Sequence, residues 1–258
     1  MKIVFIGATT FGFECLLTIR QNEAIEVVGI ISNEQRFSIS YNKEGVNNIL
    51  HKDFENYAER NNILFYRMKE NMKESKLGNF LSKCNPELIV VIGWYHLIPA
   101  NLLRQYTFTG IHNSLLPAYS GGAPLVWAII MGENKTGVTF FYFDEGIDSG
   151  DIIAQEEIEI NDEDTIKTLY KKAEQAARNI LIKYLPLLAT NSAPRIKQDE
   201  NKRQIFPQRK QEDGKIDWNW NSKKIKDFIR AQTKPYPGAF TIINNKKVII
   251  WDADIEED

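Results

Sequence analysis

Cysteine is nearly absent from this chain: Cys15 and Cys84 are the only two among 258 residues. Two thiols without metal-ligand spacing build neither a disulfide framework nor a metal site, so the sequence points to a reducing compartment, the cytoplasm, and to no bound metal. No run approaches the roughly twenty apolar residues of a membrane span. The apolar start of "MKIVFIGATTFG" is too short for the core of a secretory signal and is followed by Gly and Thr, so no membrane partner is expected. Neither sign of charge is in surplus: 32 Lys and Arg against 34 Asp and Glu leave a formal net charge of -2. That argues against a phosphate-backbone partner, and no nucleic acid is expected. The first strand is not followed by Gly-x-Gly-x-x-Gly, which counts against a dinucleotide-dependent reductase. No Ser or Cys has a nucleophile-elbow setting, so a covalent acyl-enzyme is not indicated.

What the chain does have is an ordinary soluble composition, 43% hydrophobic and 26% charged, at a length that suits one larger domain plus a small appendage. "KIVFI" (residues 2–6), "VVGII" (27–31) and "ELIVVIG" (87–93) are continuous β-branched runs, the pattern of strands buried on both faces. The segments between them leave room for helices, which implies βαβ units. A helix is expected around 125–131 and a further strand over "GVTFFYF" (137–143). From Asp164 or Thr165 as cap, Ile166, Leu169, Ala173, Ala176, Ile180 and Tyr184 keep helical spacing until Pro186 interferes. After about residue 190 the sequence turns polar. It then supplies a short helix, "SKKIKDFIRAQ", and a hairpin in which Asn244 and Asn245 separate "AFTII" from "KKVIIW". The expected fold is α/β: a doubly wound, mostly parallel Rossmann-like sheet over residues 1–190, then a linker and small C-terminal domain with a helix and β-hairpin over 191–258.

Two loops and one histidine carry candidate chemistry. The turn "IGATTFG" places Thr9 and Thr10 where a helix N-terminus can hold an anion. "GIDSGDII" mounts Asp148 and Asp151 on a Gly-bracketed loop after a strand, a common position for catalytic carboxylates. His112, in "GIHNSLLPAYSGGAP", alone reads as an ordinary core or surface histidine. A His and an Asp on two loops at sheet ends can meet as a proton-handling pair, in which the carboxylate orients the imidazole.

The long stretch "GIHNSLLPAYSGGAPLVWAIIMGENKTGVTFFYFDEGIDSGDIIAQ" resembles the signature of the folate-dependent formyltransferases: Asn-x-His-x-Ser-Leu-Leu-Pro, a Gly-rich loop, Thr-Gly-Val-Thr and an Asp-Ser/Thr/Ala-Gly loop. "MKIVFIGATTFG", "ELIVVIGWYHLIP" and "DGKIDWNWNSKKIKDFIRAQTKPYPGAF" fall where that family's flanking segments fall. The resemblance implies formyl transfer from 10-formyltetrahydrofolate to a primary amine, with His112 and Asp148 at the positions of the family's catalytic histidine and aspartate. The pteridine is expected against the "VIGWYHLIP" strand and the "FDEGIDSG" loop, at Ile92, Gly93, Trp94, Tyr95, Leu97, Asp144, Gly146 and Ile147, with His96 a neighbour. One position departs from the pattern. The family's asparagine, two residues before the histidine, is Gly110 here, and Asn113 is the nearest amide. Successive strand side chains point to opposite faces, so Asn113 need not reach the same spot.

The resemblance also divides the acceptors. The relatives that act on methionyl-tRNA carry a longer, basic C-terminal domain, whereas "KKVIIWDADIEED" is an acidic end that would repel phosphates. The "PYPGAF" sequence followed by short β-structure resembles the enzymes of nucleotide-linked amino sugars. The expected acceptor is dTDP-4-amino-4,6-dideoxyglucose, bound by Thr9, Thr10, Gly121, Gly122 and Tyr236, with Tyr236 or Trp94 as an aromatic platform for the base. The alternatives are a methionyl-tRNA formyltransferase and, kept open by Gly110, a non-catalytic nucleotide-sugar-binding module. The C-terminal hairpin makes a homodimer plausible.

Overall fold

The computed structural model describes residues 1–39, 42–69, 71–73 and 75–256. Its elements run β1 (Lys2–Ile6), α1 (Thr10–Ile19), β2 (Glu26–Asn33), β3 (Arg36–Ile39), β4 (Asn42–Asn47), α2 (Glu55–Arg60), β5 (Leu64–Met68), α3 (Ser75–Cys84), β6 (Leu88–Val91), α4 (Ala100–Gln105) and β7 (Phe108–His112). They continue with β8 (Ser120–Gly121), α5 (Pro124–Ile130), β9 (Lys135–Tyr142), β10 (Ile152–Glu159), α6 (Ile166–Ala189), β11 (Ile205–Phe206), α7 (Ser222–Arg230), β12 (Ala239–Ile243) and β13 (Lys246–Ile250).

The apolar runs become the centre of a seven-stranded sheet ordered β10-β9-β7-β6-β1-β2-β5. β1 pairs in parallel with β2 and β6, and β2–β5 and β6–β7 are parallel as well. Ile3, Val4, Phe5 and Ile6 are wholly buried, as strands covered on both faces must be. β7 and β9 are antiparallel, so the sheet is mostly rather than wholly parallel. The strand order reverses between β1 and β6, and the carboxyl ends of such strands are where α/β sheets bind ligands. Thr9 follows β1, the Ile92–Leu97 segment follows β6, and His112 ends β7.

Several elements depart from the sequence expectations. β5, β10 and the β3–β4 hairpin are strands that the apolar pattern did not reveal. α6 does not stop at Pro186 but continues to Ala189. Proline removes the N–H that would bond the carbonyl of Ile182, and Ile182 is exposed, so water can serve that carbonyl and the helix survives.

By packing, the chain forms two compact units, each drawn from several stretches of sequence. One unit comprises Met1–His112, Thr139–Gln155 and Ala177–Gln198; the other comprises Asn113–Val138, Glu156–Ala176 and Asp199–Asp258. The reason is visible within the second unit: β8 pairs with β11, and α5 packs on α7, so residues 113–138 share a core with the C-terminal segment. That unit ends in the β12–β13 hairpin, whose turn residues Asn244 and Asn245 both have positive φ, 49° and 61°, as the expected two-residue turn requires.

Asp164 ties this second unit together. Its carboxylate accepts from Asn161 N–H (2.8 Å), the Thr168 hydroxyl (2.9 Å) and Lys172 Nζ (2.5 Å). Arg230 Nη1, from α7, donates to the carbonyls of Asn161 (3.0 Å) and Asp164 (2.6 Å). Burial alone would raise the Asp164 carboxyl, but the bonds from Lys172, Asn161 and Thr168 more than offset this and hold it below the usual carboxylate range. A depressed folded-state value gives stability that is present above the unfolded value and lost as pH falls through the folded one. Asp164→Asn is therefore expected to cost about 2 kcal/mol at neutral pH, the scale of hydrogen bonds to a charged group. Urea unfolding should show that gap shrinking once the pH is below the ordinary carboxylate range; a gap independent of pH would show that the charge contributes nothing.

Candidate active site

The site grows from one bare position in β7. β7 and β9 pair in the register Thr109↔Tyr142, Gly110↔Phe141, Ile111↔Phe140 and His112↔Thr139. Alternation puts Gly110 and His112 on one face of the sheet with Thr139, Phe141 and Phe143. A Cβ at Gly110 would stand 2.6 and 2.7 Å from ring atoms of Phe143 and closer still to the Val91 carbonyl oxygen. Phe143, stacked on Phe141 at 4.9 Å, thus fills the space where a side chain at position 110 would project. From Phe143 the loop folds back over this face and brings Asp148 Oδ2 to 3.6 Å from His112 Nδ1. That is ion-pair reach, longer than a hydrogen bond. Both side chains are largely buried, with 11% and 24% of their surface exposed.

The loop itself is tightly built. Asp144 Oδ1 accepts from Gly146 N–H (3.0 Å) and from the Ser149 hydroxyl (2.5 Å). Asp148 has φ 51°, a left-handed conformation unusual for a residue with a side chain. Gly150 lies so close to the Tyr142 carbonyl that no Cβ fits there. Asp144 and Gly146 therefore shape the loop, while Ile147 is exposed on it.

The segment after β6 runs against the β1–α1 turn. Cβ atoms at Gly7 and Gly12 would collide with the Ile92 carbonyl oxygen, and one at Gly93 with the Thr9 hydroxyl. Ala8 N–H donates to Gly93 O (3.1 Å). Beyond Gly93, the buried Trp94 Nε1 has no hydrogen-bond partner, and Leu97 is 77% exposed. The Tyr95 hydroxyl donates to Asn48 Oδ1 (3.1 Å), and Phe37 of β3 packs on the rings of Tyr95 (5.2 Å) and His96 (5.3 Å). An indole donor beside an exposed apolar side chain and a loop rich in backbone groups suits a flat heterocycle with polar edges.

Other expected site residues have structural work. The Thr9 hydroxyl accepts from Gly12 N–H (3.1 Å) as the α1 cap, and Thr10 N–H donates to Leu50 O (2.8 Å). Two N–H groups at the start of α1, those of Thr10 and Gly12, are thereby bonded within the chain. Gly121 (φ 93°) and Gly122 leave room for the backbone of Phe206 and Gln208, and Gly122 N–H donates to Phe206 O (2.9 Å). The Tyr236 and Tyr170 hydroxyls lie 2.9 Å apart, with the rings roughly parallel at 6.3 Å. Asn113 Oδ1 is buried without a partner.

The formyl transferase family profile spans residues 1–185, and that of the formyl transferase C-terminal domain spans residues 209–258. The chain belongs to the formyl transferase family. The formyl donor of this family is 10-formyltetrahydrofolate. The chain is 31% identical over 259 aligned residues to the methionyl-tRNA formyltransferase of Fusobacterium nucleatum, covering all of this chain and 81% of that one. In structure it resembles a sugar N-formyltransferase from Shewanella (TM-score 0.76, 18% identity, 100% and 99% of the two chains). It also resembles an N-formyltransferase from Helicobacter canadensis solved with folinic acid and dTDP-3-aminofucose (TM-score 0.70, 22% identity, 96% and 86%). At these identities the structural likeness establishes the fold.

Within this family frame, the missing asparagine has a physical cause that the sequence alone did not show, because Phe143 is one apolar residue in an apolar run. Gly110→Asn should therefore destabilise the chain by about 1–3 kcal/mol, the usual cost of overpacking, without raising turnover. Phe143→Ala alone has its own packing cost, and the two changes together should cost less than the sum of their separate costs. Thermal unfolding of the three variants checks this, and a Gly110→Asn chain as stable as the parent would show that the space is not filled.

Proposed function

We propose that this formyltransferase acts on a nucleotide-linked amino sugar, with dTDP-4-amino-4,6-dideoxyglucose as the acceptor that best suits the chain. The observation that carries formyl transfer is the His112–Asp148 pair at 3.6 Å on a face at the carboxyl ends of the strands. The folate supplies the formyl group. The amine nitrogen forms a bond to the formyl carbon, negative charge builds on the formyl oxygen and a proton leaves the nitrogen; collapse of this adduct breaks the bond from the formyl carbon to N10 of the folate, which takes up a proton and departs as tetrahydrofolate. His112 donates a ring N–H to the formyl oxygen. Asp148 orients the imidazole and accepts the amine proton directly or through water. The pteridine edges are read by the backbone of Ile92–Leu97, by Trp94 Nε1 and by the loop at Asp144, Gly146 and Ile147.

A sugar nucleotide needs a few donors for its diphosphate rather than a broad basic face, which agrees with a net charge of -2 and with the acidic "DADIEED". Identity to the Fusobacterium enzyme over the full chain favours methionyl-tRNA as the second reading. The reducing interior of the cell suits Cys15 and Cys84, both buried and neither in a disulfide. Burial pushes the Cys84 thiol up to about 11, with Lys83 opposing, so the reactive thiolate is suppressed. Among the described residues no helix is long and apolar enough to cross a membrane. Ile242, Ile243, Val248 and Ile249 expose apolar surface on the β12–β13 hairpin, which supports a homodimer; light scattering that found only monomer would end that part of the reading.

His112→Asn and Asp148→Asn should each lower turnover at least about a hundredfold while leaving the melting temperature close to that of the parent. Asn113→Ala should cost less, unless its buried amide replaces the donor absent at Gly110. The acceptor is tested by offering 10-formyltetrahydrofolate with a panel of dTDP- and UDP-linked 3-amino and 4-amino sugars and with charged initiator tRNA. Efficient formylation of the tRNA and of no sugar would overturn the acceptor assignment. Binding of a sugar nucleotide without turnover of any acceptor would make the chain a non-catalytic module.

A further inference from the structure

The polar stretch after α6, which reads in sequence as a linker, is built into the catalytic loop. Ile196 exchanges both backbone hydrogen bonds with Ile152 at the start of β10 (2.7 and 2.9 Å). Arg195 Nε donates to Asp151 Oδ2 (3.1 Å), and its guanidinium lies 3.9 Å from the centre of the Tyr142 ring. These contacts dock residues 195–196 across both ends of the loop. Gln198 Nε2 then donates to the carbonyl of Asp148 (2.7 Å) and to that of Gly150 (2.8 Å). Two carbonyl acceptors fix which end of the amide faces the loop, because only the nitrogen can donate.

Those bonds fall on the part of the loop least able to hold itself. Asp148 has φ 51° and Gly150 has no room for a side chain. A conformation of this kind persists only when its surroundings over-determine it. Phe143, seated over Gly110, fixes the loop at one end, and the segment through Gln198 fixes it at the other. Between them the Asp148 carboxylate is aimed at His112.

We propose that Gln198 is a positioning residue that acts through the Asp148 backbone to set the carboxylate against His112. Its amide holds the left-handed turn, and without it the loop relaxes and Asp148 swings away from the imidazole. This rests on the His112–Asp148 pair as the catalytic pair, so the test reads that pair directly and needs no acceptor.

Long-range 1H–15N spectra of the full-length chain at one fixed pH show the ring nitrogens of its three histidines, and the His112 signals are those lost in His112→Asn. Asp148→Asn is expected to move the His112 signals. Gln198→Met, of similar length but without a donor, should move them in the same direction, and Gln198→Lys, which restores a donor, should return them toward the parent positions. The His51 and His96 signals should stay in place throughout. Where an acceptor is turned over, Gln198→Met should lower kcat about tenfold or more with KM unchanged. The same substitution in an Asp148→Asn chain should add little, because both changes disable one device. If Asp148→Asn moves the His112 signals and Gln198→Met does not, the proposal is overturned while the pair stands. If Asp148→Asn leaves them unmoved, the pair itself fails and Gln198 loses its role with it. Should Gln198→Met not fold, Gln198→Glu, an acceptor facing two carbonyls, takes its place beside Gln198→Lys, and signals identical in Glu and Lys variants would overturn the proposal.

Discussion

The absence of a side chain at Gly110 is the constraint from which the site follows. Any Cβ there would press on the Val91 carbonyl of the paired strand β6 and on the Phe143 ring. With glycine, β7 keeps its parallel pairing, the Phe143 ring occupies the space beside position 110, and the loop it begins can turn back toward His112. A larger residue would disturb the sheet and the loop together, because the same volume serves both. Packing at interior density leaves no slack to absorb a carbon atom.

Close backbone approach also governs the other half of the site. Gly7, Gly12 and Gly93 let the β1–α1 turn rest directly on the chain leaving β6. Two N–H groups at the start of α1 are bonded within the chain, that of Gly12 to the Thr9 hydroxyl and that of Thr10 to the Leu50 carbonyl. This exchange has a mechanical benefit: the segment carrying Trp94 and Tyr95 is anchored on one side by a rigid turn and on the other by Phe37 and Asn48. A flat ligand bound along main-chain edges needs those edges fixed, since ordering them on binding would cost conformational entropy.

How much of this was legible in the sequence follows from what periodicity can report. Continuous apolar runs gave β1, β2 and β6, and the Asn-Asn turn gave the terminal hairpin, because each is a local signal. β5, "LFYRM", is too short and mixed to declare a face, and β3 and β4 form a short hairpin with a register shift, in which the apolar pair Phe37↔Val46 sits among polar residues. The histidine and the carboxylate were legible as residue types and through a family resemblance. Phe143 and Gln198 were not. The first acts by occupying volume beside a residue more than thirty positions away in sequence, and the second by bonding carbonyls that belong to Asp148 and Gly150. Neither kind of contact leaves a mark in local sequence pattern.

The two anchors acquire their meaning from what β7 no longer supplies. In a site with a second amide donor beside the histidine, charge on the formyl oxygen is shared between two groups, and a small misplacement of either is tolerated. Removing one such donor typically costs about 10²–10³ in rate. On the proposed assignment, with Gly110 in that place, His112 is the donor that the face of β7 turns to the oxygen, and the rate depends steeply on how that imidazole is oriented. The group that orients it sits on a loop with a left-handed residue at its tip, a geometry that would not persist unaided. Fixing that loop at Phe143 from the sheet side and at Gln198 from the strap side places rigidity at the His112–Asp148 pair, the interaction on which the proposed chemistry leans most.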